Sequence, residues 1–186
     1  MNDKFQNKYR IESARLQNWD YRWSGAYFIT ICTQNRECYF GEIKNKKMIL
    51  SPTGAIADVL WYEIKNHVKN IELGEFVVMP NHIHGILILN GNVDYSGYSV
   101  VETLHATSPP PPTPSQPKNK FMASISPKSN SVSTIIRSYK SAVTKHAHRL
   151  GYDFAWQSRF YDHIIRDEQS FARISNYIVN NPVNME

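Results

Sequence analysis

An α+β fold built on an antiparallel sheet is predicted here by three observations. Short runs of alternating or β-branched residues are interleaved with stretches of helical periodicity. Two of those runs are separated only by Met79-Pro80-Asn81, in which Pro80-Asn81 is a turn-forming pair that joins neighbouring strands. A chain of 186 residues, 41% hydrophobic and carrying 11 Tyr, 8 Phe and 4 Trp, has enough apolar mass for one real core.

The elements follow in order along the chain. Ala26 to Thr33 is β-branched and aromatic, and reads as the first strand. Beyond a turn at Asn35-Arg36, Tyr39 to Ile43 and Lys47 to Leu50 read as a short hairpin. Ser51-Pro52-Thr53-Gly54 opens a helix through about Lys69, with Ile56, Val59, Leu60 and Ile64 at helical spacing. Glu75 to Val78 and His82 to Leu89 are strand-like on either side of the Pro80-Asn81 turn. Val132 to Leu150 forms a helix with Ile135, Ile136, Tyr139, Ala142 and Val143 as its apolar side. Phe160 to Arg166 is a further strand. The last helix starts near Asp167, its N-cap, and is expected to end at Pro182. The order β, hairpin, α, β, β, α, β, α fits a ferredoxin-like or RRM-like sandwich, with the helices packed on one face of the sheet.

The character changes between residues 90 and 130, where seven of the ten prolines lie among Ser, Thr, Gly and Asn. This stretch reads as a flexible insertion in a single domain spanning 1–186. Net charge is +5 and unevenly spread, for no Asp or Glu occurs from Thr103 to Tyr152. That balance leans towards a polyanionic partner. Two cysteines, Cys32 and Cys38, make neither a CxxC pair nor a disulfide framework, so a reducing cytosol is expected. No apolar run approaches the ~20 residues that span a bilayer, so no membrane partner is expected.

Chemistry concentrates in two places. In the strand His82-Ile83-His84-Gly85-Ile86-Leu87-Ile88-Leu89, residues two apart share a face. His82 and His84 therefore stand side by side while Ile83, Leu87 and Leu89 turn away. Adjacent imidazoles fill a core poorly and hold a divalent metal well. On the last helix Tyr177 and Asn181 lie four apart, one turn from each other on one face. A tyrosine hydroxyl is a competent nucleophile towards phosphorus, and an amide oxygen is a hard third ligand. Tyr139, in a basic helix, is the alternative nucleophile. His163 falls on a strand expected near the site, either supporting the ligands or filling the core. Arg137, Lys140, Lys145 and Arg149 share one helix and suit phosphate contacts. Trp156, Arg159 and Phe160 suit unpaired bases, and Arg15 joins an N-terminal aromatic-basic cluster with Trp19, Tyr21, Arg22 and Trp23.

Four ordered segments carry a family resemblance. They are Asp20-Tyr21 with Tyr27-Phe28-Ile29-Thr30, then Val78 to His84, Trp156 to Arg166, and Tyr177 to Val183. They resemble the HUH single-tyrosine transposases, most closely the REP-associated tyrosine transposase branch. The resemblance implies that His82 and His84 bind metal, that Tyr177 is the nucleophile and that Asn181 takes the third-ligand position, where many relatives carry Gln. It further implies a bacterial cytoplasmic enzyme, monomer or homodimer, that cuts single-stranded DNA at a hairpin-flanked site and keeps the 5′ end as a phosphotyrosine. Mg²⁺ or Mn²⁺ is the expected ion for such a phosphate reaction. The alternative functions are a non-catalytic RRM-like binder of single-stranded nucleic acid and, behind it, a two-histidine phosphoesterase.

Overall fold

The computed structural model of the chain describes residues 20–90 and 130–184. Arg15, Trp19 and the proline-rich stretch from 91 to 129 lie outside the described residues. The elements are β1 (Gly25–Cys32), β2 (Gly41–Lys44), β3 (Lys47–Leu50), α1 (Pro52–Tyr62), a short α2 (Ile64–His67), β4 (Ile71–Met79), β5 (His82–Leu89), α3 (Val132–Arg149), β6 (Tyr161–Ile165) and α4 (Glu168–Asn184). The α+β class and the expected order both hold.

Local chemistry sets the helix starts. The Ser51 hydroxyl accepts from the Gly54 N–H at 3.0 Å, with Pro52 in the first turn of α1. Ser131 does the same for Thr134 at α3, and Asp167 accepts from Ser170 N–H at 2.7 Å at α4. Several boundaries differ from the sequence reading, and β4 starts at Ile71 where Glu75 is expected. The first long helix breaks after Tyr62 and resumes as α2. Helix α4 runs through Pro182 to Asn184, because a proline so near the C-terminus removes only one late backbone bond.

Four strands form one antiparallel sheet in the order β4-β5-β1-β6, and β2 and β3 pair separately. Register fixes what each face carries. His82 faces Cys32, His84 faces Thr30 and Ile86 faces Phe28 across β5 and β1, while Phe28 faces His163 across β1 and β6. On one face Tyr27, Ile29, Ile31, Ile83 and Leu87 pack against Trp61 of α1 and Ile135, Ile136, Tyr139 and Val143 of α3. Trp61 explains Gly85, since a Cβ there would lie 2.3 Å from the indole Cζ2.

The expectation of helices on one face holds for α1 and α3 and fails for α4. Phe171, Ile174 and Ile178 of α4 pack with Phe28, Val77, Ile86 and Ile165 on the opposite face. The reason is in β5, whose apolar residues fall on both faces, so the sheet needs cover on both. The histidines share the face that α4 covers.

Candidate active site

The site is built on the second face, where β5 meets α4. His82 and His84 are 5% and 6% exposed, with ring centroids 4.6 Å apart. Each ring is oriented through Nδ1. His82 Nδ1–H donates to Asn81 Oδ1 at 2.7 Å, and His84 Nδ1 lies 2.8 Å from the Thr30 hydroxyl. An acceptor at Nδ1 places that ring's proton there and leaves Nε2 with a free lone pair. Phe28 stacks on His84 at 5.3 Å and holds the ring flat against β1.

Electrostatics keep both rings neutral. Burial, with a smaller contribution from the Arg36 charge, pushes His82 down to about 4. Burial and the neighbouring His82 push His84 down to about 3. Two neutral imidazoles with oriented Nδ1 atoms are the donor form that divalent metals take.

Tyr177 comes from the other side. Its hydroxyl is 3.4 Å from His84 Nε2, at the outer limit of a hydrogen bond, and the residue is 49% exposed. Asn181, one turn along α4, is 4% exposed and makes no side-chain hydrogen bond among the described residues. No cluster of three His, Cys, Asp or Glu side chains occurs among the described residues.

The structure separates the two tyrosines that the sequence left open. Tyr139 lies on the opposite face, buried, with its hydroxyl donating to the Ala57 carbonyl at 2.8 Å and its pKa raised well above 10 by burial. The other expected residues are carried by other elements of the fold. Arg137, Lys145 and Arg149 are exposed on α3, across the sheet. Lys140 is half-buried, donating to the Gln157 carbonyl at 2.6 Å beneath the Trp156 ring. Trp156 packs on Phe40 and Phe154 and spends its indole N–H on the Lys140 carbonyl. Phe160 packs against the edge of the core, and Arg159 is exposed beside it. His163 is exposed near the free edge of β6, lining a groove of about 480 Å³ with Tyr161, Arg166 and Arg173.

Four residues near the site escaped the sequence reading, namely Phe28, Thr30, Arg36 and Asn81. Asn81 looked like turn chemistry alone, and Phe28 and Thr30 become neighbours of His84 only through the β1–β5 register.

No protein-family model matches the chain. An uncharacterised protein of Haemophilus influenzae is 37% identical over 172 residues, covering 92% of this chain and 87% of that protein. The chain belongs to the same family as that protein. A solved REP-associated tyrosine transposase bound to a REP hairpin superposes with a TM-score of 0.57 at 19% identity, over 93% of this chain and 73% of that one. The chain has the REP-associated tyrosine transposase fold. Within this transposase fold, the histidine pair and the half-exposed Tyr177 lie on one covered sheet face. Among the described residues, no helix of the fold is long and apolar enough to cross a membrane.

Proposed function

We propose that the protein is a metal-dependent nickase and strand transferase for single-stranded DNA at hairpin-flanked sites, working through a 5′-phosphotyrosine. The observation that carries this reading is the approach of a half-exposed Tyr177 hydroxyl to His84 Nε2 at 3.4 Å within one chain. That the transposase sharing this fold is bound to a hairpin supports the choice of DNA.

The donors fit a divalent ion such as Mg²⁺ or Mn²⁺: His82 and His84 through Nε2, and Asn181 through its amide oxygen. When bound, such an ion supplies Lewis-acid polarisation of a phosphate oxygen and offsets charge in the transition state. The chain's own residues do the rest. Asn81 and Thr30 fix the two imidazoles before substrate arrives, so no reorganisation is needed during reaction. Burial keeps both rings unprotonated, so neither repels a cation. Tyr177 attacks phosphorus in line. The Tyr177 Oη–P bond forms, the P–O3′ bond breaks, the phenolic proton passes to solvent and the departing 3′ oxygen takes one up from solvent to end as a hydroxyl. Asn181 holds its position because α4 carries it rigidly one turn beyond the nucleophile. Attack by a second 3′ hydroxyl on the phosphotyrosine reverses these bonds and joins a new strand.

Nucleophile and histidines belong to one chain in this arrangement, so each chain carries both whether it works as a monomer or in a homodimer. Exposed Arg137, Lys145, Arg149 and Arg159 would contact phosphates away from the scissile one, with Lys140, Trp156, Phe160 and His163 in supporting positions. Incubation with single-stranded DNA from the gene's own flanks and Mg²⁺ or Mn²⁺ tests the reading. The expected product is a covalent protein–DNA adduct that resists detergent, is lost with chelator and is absent in Tyr177→Phe. Tight hairpin binding with no adduct under any metal would favour the non-catalytic binding module instead.

A further inference from the structure

Arg36 stands in the turn after β1, where the backbone is left-handed twice in succession, at Asn35 (φ 52°) and Arg36 (φ 59°). Neither residue is glycine, and side chains disfavour this backbone region, so the surroundings must hold the turn in place. Thr33 does much of this. It is fully buried, and its N–H donates to the Asn81 carbonyl at 3.0 Å. Its hydroxyl lies 2.7 Å from the Glu37 carbonyl and 2.9 Å from that of Asn81. The next residue, Gln34, donates its N–H to the Ala155 carbonyl at 2.9 Å. Asn81 thus anchors this turn through its backbone and His82 through its side chain.

The guanidinium presented by this turn is uncommitted. Arg36 is exposed and makes no side-chain hydrogen bond or ion pair among the described residues. The turn is bonded to Asn81, the residue before His82, whereas Tyr177 approaches His84, two residues further along β5. Along the site the order is therefore Arg36, His82, His84, Tyr177.

We propose that Arg36 is a catalytic residue that meets the scissile phosphodiester on its leaving-group side. The inference rests on Tyr177 being the nucleophile. In an in-line displacement the entering and leaving oxygens stand on opposite sides of phosphorus. Tyr177 enters at the His84 end, so the 3′ oxygen departs towards the His82 end, where Arg36 is the cation at hand. As the P–O3′ bond breaks, negative charge gathers on that oxygen until it takes up a proton. A planar guanidinium donates charge-assisted hydrogen bonds to it during that interval.

The test compares two leaving groups. Wild-type protein and single-stranded oligonucleotides tiling the gene's flanks first locate the cleaved bond. The same oligonucleotide is then made with sulfur replacing the bridging 3′ oxygen at that bond, since a thiolate departs without help from a cation. Arg36→Gly suits the left-handed backbone and should leave the melting temperature unchanged. It is expected to slow adduct formation about 100-fold on the oxygen substrate and only severalfold on the sulfur one, with Arg36→Lys in between. In a Tyr177→Phe background, Arg36→Gly should also flatten the salt dependence of oligonucleotide binding by about 0.7 in log–log slope, the share of one phosphate contact. Equal slowing on both substrates, or none on the oxygen one, would overturn the assignment to the leaving group. Wild-type protein that forms no adduct with any oligonucleotide would instead defeat the nucleophile reading, and the role of Arg36 with it.

Discussion

Tyr177 meets the histidine pair through a single oxygen, and removing that oxygen leaves its ring contacts intact. Its ring packs edge-on against Phe28 and His84, with centroids at 6.3 Å and 5.3 Å. Tyr177→Phe should therefore melt within about 0.5 kcal/mol of wild type while forming no adduct. Tyr139→Phe is the contrasting case. It strips the bond to the Ala57 carbonyl inside the core, should cost about 1 kcal/mol, and should leave adduct formation intact. Reversal of those two outcomes in an adduct assay would exchange the roles of the tyrosines. The histidines add a pH signature. Folded values of about 4 for His82 and about 3 for His84 lie below the ordinary 6.5, so between those limits the unfolded chain binds protons that the folded one refuses. Their contribution is fully present above pH 7 and is lost as pH falls through 6.5 towards 4. In metal-free protein the loss by pH 5 should be on the order of 2 kcal/mol, allowing for screening at the rings' open edges. Urea melts between pH 8 and pH 5 should show this slope, and His82→Gln/His84→Gln should flatten it. An undiminished slope in the double variant would place the titrating groups elsewhere.

At the scale of elements, β5 is the piece that everything else locates. Its first face is pinned by Trp61, fully buried and stacked on Phe76 at 4.5 Å. Gly85→Ala would push a methyl group into that indole, which has no room to retreat, and should cost about 1–3 kcal/mol. The measurement is the urea midpoint, and an unchanged midpoint would mean that α1 yields easily. Helix α3 carries a second lesson. Its Lys140 looks from sequence like one of four equivalent phosphate contacts. In the fold it ties α3 to the carbonyls of Gln157 and Arg159 and lies against Trp156. Lys140→Gln should consequently lower stability by about 1 kcal/mol, whereas Arg137→Gln, Lys145→Gln and Arg149→Gln should leave the melting temperature alone.

Over the whole molecule, the sheet divides two tasks between its faces. One face is closed by α1 and α3 around the larger core, and the other holds the histidines under α4. Exposed charge on α3 therefore lies across the sheet from the scissile position, where it can grip DNA without touching the reacting atoms. Neutralising Arg137, Lys145 and Arg149 together should weaken binding of a hairpin with a single-stranded flank. It should flatten the log–log salt slope by about 2, for three single-strand contacts. Cleavage of DNA already bound should be unaffected. A slowed single-turnover rate at saturating DNA would show that α3 acts on the site after all.

The sequence by itself determined the strands, the helices and the pairing of candidate groups within one element, because each of these depends on local periodicity. His82 and His84 share a face through the two-residue repeat of a strand, and Tyr177 and Asn181 through the turn of a helix. Those spacings, together with four ordered segments, also carried the family resemblance. Tertiary structure alone decided which groups from different elements meet. The side of the sheet that α4 covers depends on how apolar area on both faces of β5 is buried. Thr30 reaches His84 only through the β1–β5 register, and Arg36 comes to the His82 end only because Thr33 and Asn81 bind the turn to the strand. Whether Trp156 and Lys140 are surface or scaffold is likewise settled by packing, since aromatic and basic residues serve both ends equally well until their neighbours are known.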